Sequence, residues 1–494
     1  MGSFLRSETM LERNTNIDDI KQEVLYEVAK HAYLGDLKEK EESIPYELIP
    51  GPQANFRCCI YKEREIIRQR IRLAKGKSPI AGKETKNIVQ VINSACEECP
   101  ITRFVVTDNC QKCVGKRCQM SCNFGAITML RDRAYIDPSK CKECGKCSTA
   151  CPYNAIADLT RPCKKSCPVD AITMDENSIV DINEEKCINC GSCIKNCPFG
   201  AISDRSFLVD VINLIKLEEK NVYAMLAPAW EGQFGSPVTF SSMAAALKEL
   251  GFRDAYEVAL GADFVAASEA KEWAEAYEEG KKKTTSCCPA FVNMIHKHYP
   301  SLKENISTTI SPMAATARLI KSIDPTAICV FIGPCIAKKG EVLDSLSLNA
   351  ADYALTLDEL AAMLRAKEIE PSAMDESLQQ GSIYGKKFCI SGGVTASVLQ
   401  SLKETKKDIS ISVKACNGAV ECKKALTLLK LGKLPEDFME GMACEGGCSN
   451  GPGSILTGRP AGVNREKLFA QADGREINGN IDQYTAYSFS MHRK

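Results

Sequence analysis

The sequence predicts a multidomain protein that joins α+β and α/β folds. With 494 residues, the chain is longer than one compact core usually holds. Its cysteines are unevenly spread: two precede residue 96, sixteen lie between 96 and 197, and nine are scattered over 205–494. The last region alternates β-branched runs with helical patterns, which indicates an α/β layout. We therefore expect three units, at 1–95, 96–204 and 205–494.

Composition narrows the classes of partner and compartment. Lys plus Arg and Asp plus Glu both number 63, so no overall charge marks a nucleic-acid or membrane binder. The N-terminus has no signal-peptide pattern, and no run reaches the ~18 apolar residues of a membrane span. We expect a cytoplasmic protein, in which thiols stay reduced. The 27 cysteines, many at CxxC and CxxxC spacings, then indicate metal binding rather than disulfides.

The N-terminal region is expected to be mostly helical. Periodic apolar positions occur at 17–35 and 61–76, joined by a loop at Pro45–Pro52. Cys58 and Cys59 are adjacent and poorly placed to chelate one ion, so we expect them to pack in the core.

The C-terminal region contains three predicted strand–helix pairs. AICVFIG, KKFCIS and DISISVKAC are the strand patterns, and DELAAMLRAKE, VTASVLQSLKE and AVECKKALTLLKLG are the helices that follow them. Ser241 is expected to begin a further helix that Gly251 ends. Cys329, Cys389, Cys416 and Cys422 fall in these patterns and are expected to be core thiols.

The sixteen-cysteine segment contains two CxxCxxCxxxCP motifs, typical of bacterial ferredoxins. In that motif three thiolates bind one [4Fe–4S] cluster and the fourth reaches a neighbouring cluster. The segment therefore predicts ferredoxin-like modules of two [4Fe–4S] clusters each. The remaining cysteines form a looser CxxCxxxxCxxxC run, the tail of a further motif, and a CxxC pair that could complete that motif. With four ligands per cluster, the sixteen cysteines then hold four clusters. The two full motifs are Cys141, Cys144, Cys147, Cys151 and Cys187, Cys190, Cys193, Cys197; the others are Cys110, Cys113, Cys118, Cys122, Cys96, Cys99, Cys163 and Cys167.

Two pairings of these cysteines remain open. In the nested pairing the sets are Cys110, Cys113, Cys118 with Cys151; Cys141, Cys144, Cys147 with Cys122; Cys187, Cys190, Cys193 with Cys167; and Cys96, Cys99, Cys163 with Cys197. In the sequential pairing the two full motifs exchange Cys151 and Cys197. Zinc is a further alternative, chiefly for Cys96 and Cys99, because CxxC pairs also form tetrahedral zinc sites.

Three cysteine-bearing segments mark a second kind of site in the last region. They are TTSCCPAF at 284–291, FIGPCIAKKGE at 331–341 and EGMACEGGCSNGPG at 440–453. If Cys288, Cys335, Cys444 and Cys448 converge, they provide four thiolates for one more cubane and leave Cys287 free. Cys335 follows a predicted strand, at the edge where α/β folds place their sites. The glycines of the last segment are expected to let the backbone approach a bulky cofactor.

These segments resemble the signatures of the [FeFe]-hydrogenases, TSCCPxW, PCxxKxxE and MACxxGCxxG. The resemblance covers about residues 140–460 and implies an α/β catalytic domain that holds the H-cluster. Cys288, Cys335, Cys444 and Cys448 would hold its cubane, with Cys448 bridging to a two-iron subcluster that carries CO, cyanide and a dithiolate.

The resemblance also assigns roles around the subcluster. It implies that Lys338 binds one cyanide, that the backbone of Pro228 and Ala229 faces the other, and that Met442 contacts the subcluster. Cys287 would donate protons, and Glu269, Ser307 and Glu272 would carry them outwards. Glu269 and Glu272 are three apart in a helical pattern, so both can line one face, although ordinary solvated glutamates are the alternative.

Four positions depart from the prototype pattern. Gly333, Ala229, Phe291 and Met313 stand where Met, Ser, Trp and Gln are usual, and the chain is more similar to the divergent branch called group B. Such changes tune the metal's surroundings, so they affect rate and catalytic bias rather than cofactor binding.

Three functions are compatible with these features. The first is a hydrogenase that exchanges electrons with ferredoxin, acts on H2 and protons, and depends on maturation proteins for its two-iron subcluster. The second is a hydrogen sensor, and the third is a Nar1-like iron–sulfur assembly protein. The thiol at Cys287 favours catalysis. The basic run Lys62–Lys77 is expected to be a solvated helix face, with docking of an acidic ferredoxin as the alternative.

Overall fold

A computed structural model describes residues 16–493 apart from 83, 84, 86, 101, 218, 236, 345–349, 372–377, 407, 408 and 457. It contains a helical N-terminal segment, a series of antiparallel strand pairs around the cysteine loops, and two parallel sheets flanked by helices. The predicted combination of α+β and α/β folds is therefore confirmed. Every helix within these ranges is too short or too polar to span a lipid bilayer.

The N-terminal segment consists of α1 (Ile17–Leu34), α2 (Leu37–Lys40), α3 (Ile44–Leu48) and α4 (Ile60–Ala74). A capping box of Asn16 and Asp19 begins α1, and Gly35, with φ 84°, ends it. The loop predicted from Pro45 is wrong in its first part, because Pro45 lies in the first turn of α3, where no backbone N–H is needed.

The basic residues of α4 bind their own chain. Arg70 is 6% exposed and donates to Gly200 O at 2.7 Å, while Arg64 donates to Ile49 O at 2.9 Å. The predicted solvated face is therefore wrong for this helix, and these contacts do not favour its use in docking. Cys58 and Cys59, which were predicted to pack, are exposed.

The cysteine-rich region is built from short strands and single helical turns. The strands are β1 (Val89–Val91), β2 (Phe104–Val106), β3 (Ile127–Met129), β4 (Ala134–Ile136), β5 (Ile156–Asp158), β6 (Ile172–Met174), β7 (Val180–Ile182) and β8 (Ile202–Asp204). The helices are α5 (Arg117–Met120), α6 (Lys146–Ala150), α7 (Pro162–Ser166) and α8 (Ser192–Asn196). The antiparallel pairs are β1–β8, β2–β5, β3–β4 and β6–β7, so an inner module at 104–158 is nested within an outer one.

The C-terminal region holds two parallel sheets. Its strands are β9 (Val222–Leu226), β10 (Asp254–Glu257), β11 (Lys283–Thr284), β12 (Ile328–Ile332), β13 (Tyr353–Leu355), β14 (Val413–Asn417) and β15 (Phe438–Met442). One sheet has the order β10-β9-β12-β13 and the other β11-β15-β14, and every pairing is parallel.

Helices connect and cover these sheets. They are α9 (Leu208–Ile215), α10 (Phe240–Leu250), α11 (Val258–Glu278), α12 (Pro289–His298), α13 (Pro312–Ile323), α14 (Ile336–Val342), α15 (Leu357–Ala366), α16 (Ile383–Lys387), α17 (Gly393–Glu404), α18 (Ala419–Lys430), α19 (Arg459–Phe469) and α20 (Ile477–Ile481).

Two local predictions in this region are wrong. The strand predicted for KKFCIS is the end of α16 followed by a turn, since a short apolar run does not distinguish a buried turn from a strand. Thr239 rather than Ser241 caps α10, accepting a hydrogen bond from Ser242 N. Cys329, Cys389, Cys416 and Cys422 are buried as predicted.

A buried ion network joins the three regions. Lys339 on α14 is 0% exposed and donates to Asp204 at 2.6 Å and to Glu359 at 2.7 Å. Lys21 on α1 lies 2.5 Å from Asp358 and 3.6 Å from Asp204. Burial alone would lower the pKa of Lys339, but the two carboxylates raise it above its ordinary value. A charged lysine therefore connects β8, α14 and α15.

Lys339→Met is expected to destabilise the folded protein by about 3 kcal/mol, because it leaves buried carboxylates without their main counter-ion. The measurement is the apparent Tm of the cluster-loaded protein. Lys248→Gln is the matched control: it removes an exposed ion pair with Asp254, and such pairs contribute less than ~1 kcal/mol. Equal Tm values for the two variants would contradict this role for Lys339.

Candidate active site

The predicted site residues lie where parallel strands of both sheets end. Pro228 follows β9 and Cys335 follows β12 in the larger sheet. Cys288 follows β11, and Cys444 follows β15, in the smaller one. Cys288 and Cys335 are also the residues immediately before α12 and α14. Because the carboxyl ends of neighbouring parallel strands meet at one edge, segments more than a hundred residues apart converge here.

A cavity of about 80 Å³ occupies this edge. Its walls include most of the residues that the sequence singled out: Pro228, Ala229, Cys287, Cys288, Cys335, Lys338, Met442 and Cys448. Apolar side chains such as Val258, Phe331 and Phe388 complete the lining. The space therefore combines thiols and a single lysine with largely apolar walls.

The four predicted cubane ligands form one electrostatically coupled group. Burial raises the pKa of Cys335 to about 11, and the nearby Cys288 thiol adds to this effect. Burial likewise raises the pKa of Cys444 and Cys448 well above the ordinary value, with further contributions from Cys335 and Cys288. Thiolates crowded among apolar side chains need a strong positive charge beside them, which a bound metal cluster supplies. The donor set thus fits an iron–sulfur cluster.

Lys338 is held in place at the cavity wall. Its ammonium donates to Glu341 Oε2 at 2.6 Å and lies 3.4 Å from the carbonyl of Cys287. Ser311 Oγ donates to the other oxygen of Glu341 at 2.6 Å. The sequence assigned no role to Glu341 or Ser311, although Glu341 is the final residue of the PCxxKxxE motif.

Cys287 lies between the four-thiol group and a buried carboxylate. Burial raises the pKa of Cys287 well above its ordinary value, and Glu269 and Cys288 are the next contributors. This thiol therefore keeps its proton at neutral pH. Glu269 is 0% exposed, and burial raises its pKa to about 8.

Glu269 has one bonded and one free oxygen. Ser286 N donates to Oε1 at 3.3 Å, whereas Oε2 has no hydrogen-bond partner among the residues that the structure describes. A buried carboxylate oxygen without a donor is costly. The neutral acid that the raised pKa indicates removes much of that cost.

Ser307 connects Glu269 to Glu272. Its hydroxyl donates to Glu272 Oε2 at 2.7 Å, and it lies near enough to Glu269 to lower the pKa of that carboxyl, against the larger effect of burial. Burial alone would raise the pKa of Glu272, but Ser307, Thr308 N and Lys283 hold it below its ordinary value. The structure thus brings the three predicted relay residues together, with a neutral carboxyl inside and an ionised one outside. The alternative of two solvated glutamates is wrong for the buried Glu269.

Close packing explains several small residues near the cavity. A Cβ on Gly447 would lie 2.3 Å from Cys389 O, and one on Gly451 would lie 2.5 Å from Pro334 O. The glycines therefore let protein segments approach each other, a different reason from the cofactor approach expected from sequence. A Cβ on Gly333 would lie 2.6 Å from Cβ of Ala227, so this backbone leaves no room for the prototype methionine without a shift.

Sequence reasoning missed Glu440. This buried carboxylate accepts from Gly392 N and Thr395 N, both at 2.9 Å, and burial raises its pKa. It thereby anchors the start of α17. Its position just before the MAC motif is the sequence feature that could have identified it.

The accessory cysteines gather in the four sets of the nested pairing. Thiol–thiol interactions link Cys118 to Cys151, Cys113 and Cys110, and Cys147 to Cys141 and Cys122. They also link Cys187 to Cys167, and Cys163 to Cys197, Cys96 and Cys99. Burial is the main reason why the pKa of Cys118, Cys147, Cys187 and Cys163 is raised.

Two of these sets follow one another outwards from the cavity. Cys190 interacts with Cys288 of the four-thiol group, and Cys193 interacts with Cys163 of the next set. The two remaining sets share a separate core at 104–158, where Cys144 is exposed. Two cysteine groups therefore follow one another from the cavity, and the separate inner module carries the exposed Cys144.

Comparison with known proteins assigns the chain to a family. A family model described as the iron only hydrogenase large subunit, C-terminal domain, matches residues 220–452, and a 4Fe-4S binding domain matches 134–157. The periplasmic [Fe] hydrogenase large subunit of Nitratidesulfovibrio vulgaris is 33% identical over 373 residues, covering 64% of this chain and 85% of that protein. The chain belongs to the [FeFe]-hydrogenase family. It is an iron–sulfur protein with ferredoxin-like modules before a hydrogenase-type fold.

Other relatives of this [FeFe]-hydrogenase family member are more distant or only partly covered. Iron hydrogenase 1 of Clostridium pasteurianum is 29% identical, and the match covers 64% of each chain, which is less than two thirds of that relative. A solved [FeFe]-hydrogenase structure shares the fold at a TM-score of 0.50 and 19% identity, covering 58% of this chain and 98% of that one. The cytosolic Fe-S cluster assembly factor NAR1 of Kluyveromyces lactis is 27% identical over 38% of this chain and 54% of its own length.

The pKa of Glu269 predicts a specific pH dependence. Between its ordinary value of 4.5 and the folded value of about 8, the folded chain holds one proton more at this residue than the unfolded chain does. Stability contributed by this residue therefore falls as pH rises through that window. Glu269→Gln should remove this part of the slope of apparent Tm against pH, and a carboxylic-acid carbonyl band should disappear from the infrared spectrum at pH 7.

Glu272→Gln is the matched control, because the pKa of Glu272 is lowered and its carboxyl is already ionised at pH 7. It should leave the carboxylic-acid band in place. Loss of that band in Glu272→Gln, or its retention in Glu269→Gln, would contradict the assignment.

Proposed function

We propose that the chain is a catalytic [FeFe]-hydrogenase that interconverts H2 with protons and electrons and exchanges electrons with ferredoxin. The observation that carries this proposal is the position of Cys287. Its thiol lines the cavity beside the four-thiol group and interacts with the buried Glu269. A thiol that is not needed to complete a four-cysteine set is thereby available for proton transfer.

The cavity has a donor set suited to the H-cluster. Cys288, Cys335, Cys444 and Cys448 would hold the cubane, and Lys338, Pro228, Ala229 and Met442 would contact the two-iron subcluster. When bound, that group would supply the metal centre at which protons and electrons combine. The ammonium of Lys338, fixed by Glu341 at 2.6 Å, is positioned to donate to an anionic ligand in the cavity.

Proton transfer would be carried out by the chain's own residues. Cys287 would exchange a proton with Glu269, and Ser307 would pass protons between Glu269 and Glu272. Glu269, with a pKa of about 8, can both hold and release a proton near neutral pH, as general acid–base catalysis requires. Lys283, 3.2 Å from Glu272, stabilises the ionised outer carboxylate.

Electrons would pass through four accessory [4Fe–4S] clusters held by the nested cysteine sets. The exposed inner module is the end farthest along this path and the proposed docking surface for ferredoxin. Val114 and Met120 are 96% and 80% exposed there, and Lys112, Lys116 and Lys142 are exposed nearby. Exposed apolar side chains together with exposed lysines on one module favour an acidic electron carrier.

The remaining proposals concern organisation. We propose the units 1–95, 96–204 and 205–494, a cytoplasmic location, and maturation proteins that insert the two-iron subcluster. The NAR1 relative raises iron–sulfur assembly as a second candidate function, and the same cofactor would also serve a hydrogen sensor. Cys287 together with the enclosed Glu269 favours catalysis over both.

Cys287→Ala is expected to retain the cofactor and lower hydrogen evolution at least about 100-fold, or ~2.7 kcal/mol in barrier, because it removes a general acid. The assay is hydrogen evolution from reduced ferredoxin by protein with a full infrared cofactor signature. Cys329→Ala, which removes a buried thiol within β12, is the control and should stay near wild type. Cys288→Ala should instead impair cluster assembly. Near wild-type turnover in Cys287→Ala would remove the main support for catalysis.

Iron analysis tests the accessory clusters. The full chain before insertion of the two-iron subcluster is expected to bind about twenty irons, sixteen of them in four accessory cubanes. Cys118→Ala should lower the iron content or alter one EPR signal, whereas Cys422→Ala, which removes a buried thiol outside the proposed sets, should not. Three accessory clusters, or stoichiometric zinc, would contradict the nested assignment.

A further inference from the structure

A second group of metal-binding side chains lies in the N-terminal helices, away from every cysteine group. Glu27, His31 and Glu47 each offer one ligand atom, and these atoms all lie within 4.8 Å of one another. Glu27 and His31 are four residues apart on α1, so they share one face of the helix. Glu47 approaches from α3. Glu27 and His31 are 2% and 5% exposed, whereas Glu47 is exposed.

The imidazole of His31 is oriented for binding. Its Nδ1 lies 2.8 Å from Asp36 Oδ1, and this hydrogen bond lowers the pKa of Asp36. An Nδ1–H bond to a carboxylate fixes the ring tautomer and leaves a lone pair on Nε2, the usual arrangement around metal-binding histidines. Nε2 is buried and has no hydrogen-bond partner within the described part of the chain.

An ion pair with Glu27 alone does not give His31 Nε2 a good hydrogen bond. Nε2 is 3.5 Å from Glu27 Oε2, which is too long for a good hydrogen bond. Lys30 Nζ lies 3.5 Å from the same oxygen but is more than a third exposed. Ser43 Oγ donates to Glu47 Oε1 at 2.8 Å and orients the third carboxylate. A buried nitrogen acceptor facing two carboxylates is satisfied by a divalent cation.

We propose that Glu27, His31 and Glu47 bind one divalent transition-metal ion, for which zinc is the first choice. One imidazole and two carboxylates suit zinc, with a fourth position open to water. The ion would fasten α3 to α1. Because Arg365 of α15 forms two hydrogen bonds, 2.7 and 3.1 Å long, with Glu23 of α1, the same ion would stabilise the docking of the N-terminal helices on the hydrogenase fold.

The test is zinc content of the full, cluster-loaded chain, measured by mass spectrometry after anaerobic dialysis against buffered micromolar Zn²⁺. Wild type should hold about one zinc per chain more than His31→Ala and Glu47→Gln, with equal iron in all three, because each variant removes a ligand. Lys30→Gln is the control on the same helix. It removes a competing cation and should retain the zinc.

A second readout identifies the ligands. The zinc-edge X-ray absorption spectrum of His31→Ala is subtracted from that of wild type. The difference should show nitrogen and oxygen neighbours of zinc at about 2.0–2.2 Å and no sulfur. Since Glu47 is exposed, Glu47→Gln is expected to fold even if His31→Ala does not. Equal zinc in wild type and Glu47→Gln, or only sulfur neighbours, would overturn the proposal and leave His31 in an ion pair alone.

Discussion

The structure depends on the buried lysine at position 339. Asp204, which accepts from it, is the last residue of β8 in the cysteine-rich region, while Glu359 belongs to a helix that packs on the parallel sheets. A charge at this depth persists only when it is paired on several sides. The pairing therefore fixes α14 relative to the accessory modules. The same helix follows Cys335 and carries Lys338, so the scaffold that joins the regions also sets the cavity wall.

A second constraint is the crowding of thiols in a largely apolar pocket. Four cysteines from three distant segments meet at the ends of parallel strands, and burial disfavours the ionised forms of Cys335, Cys444 and Cys448. The positive charge of Lys338 is already held by Glu341. Metal binding is the chemistry that reconciles this donor set with its surroundings. The surroundings also separate two carboxyl groups: the buried Glu269 is neutral, and Glu272, farther out, is ionised.

The sequence predicts those parts of the fold that depend on residues close together in the chain better than those that depend on distant partners. The helices α1 and α4 follow from periodic apolar residues, and the cysteine motifs identify the metal-binding segments because spacing limits which thiols share a cluster. The strand predicted for KKFCIS is wrong, because its buried residues pack in a turn rather than pairing with a neighbouring strand. The solvated face predicted for the basic run is also wrong, because Arg70 donates a hydrogen bond to Gly200, 130 residues away. Such long-range partners, like those of Lys339, leave no periodic signal in the sequence.

Infrared spectroscopy of protein matured with the two-iron subcluster will show whether the cavity binds the H-cluster, as proposed. Bound CO and cyanide give absorption bands in a region free of protein signals. We expect such bands in wild type, and shifted cyanide bands in Lys338→Met because the ammonium would no longer contact that ligand. Absence of CO and cyanide bands from a matured protein with full iron content would show that the cavity does not hold the H-cluster.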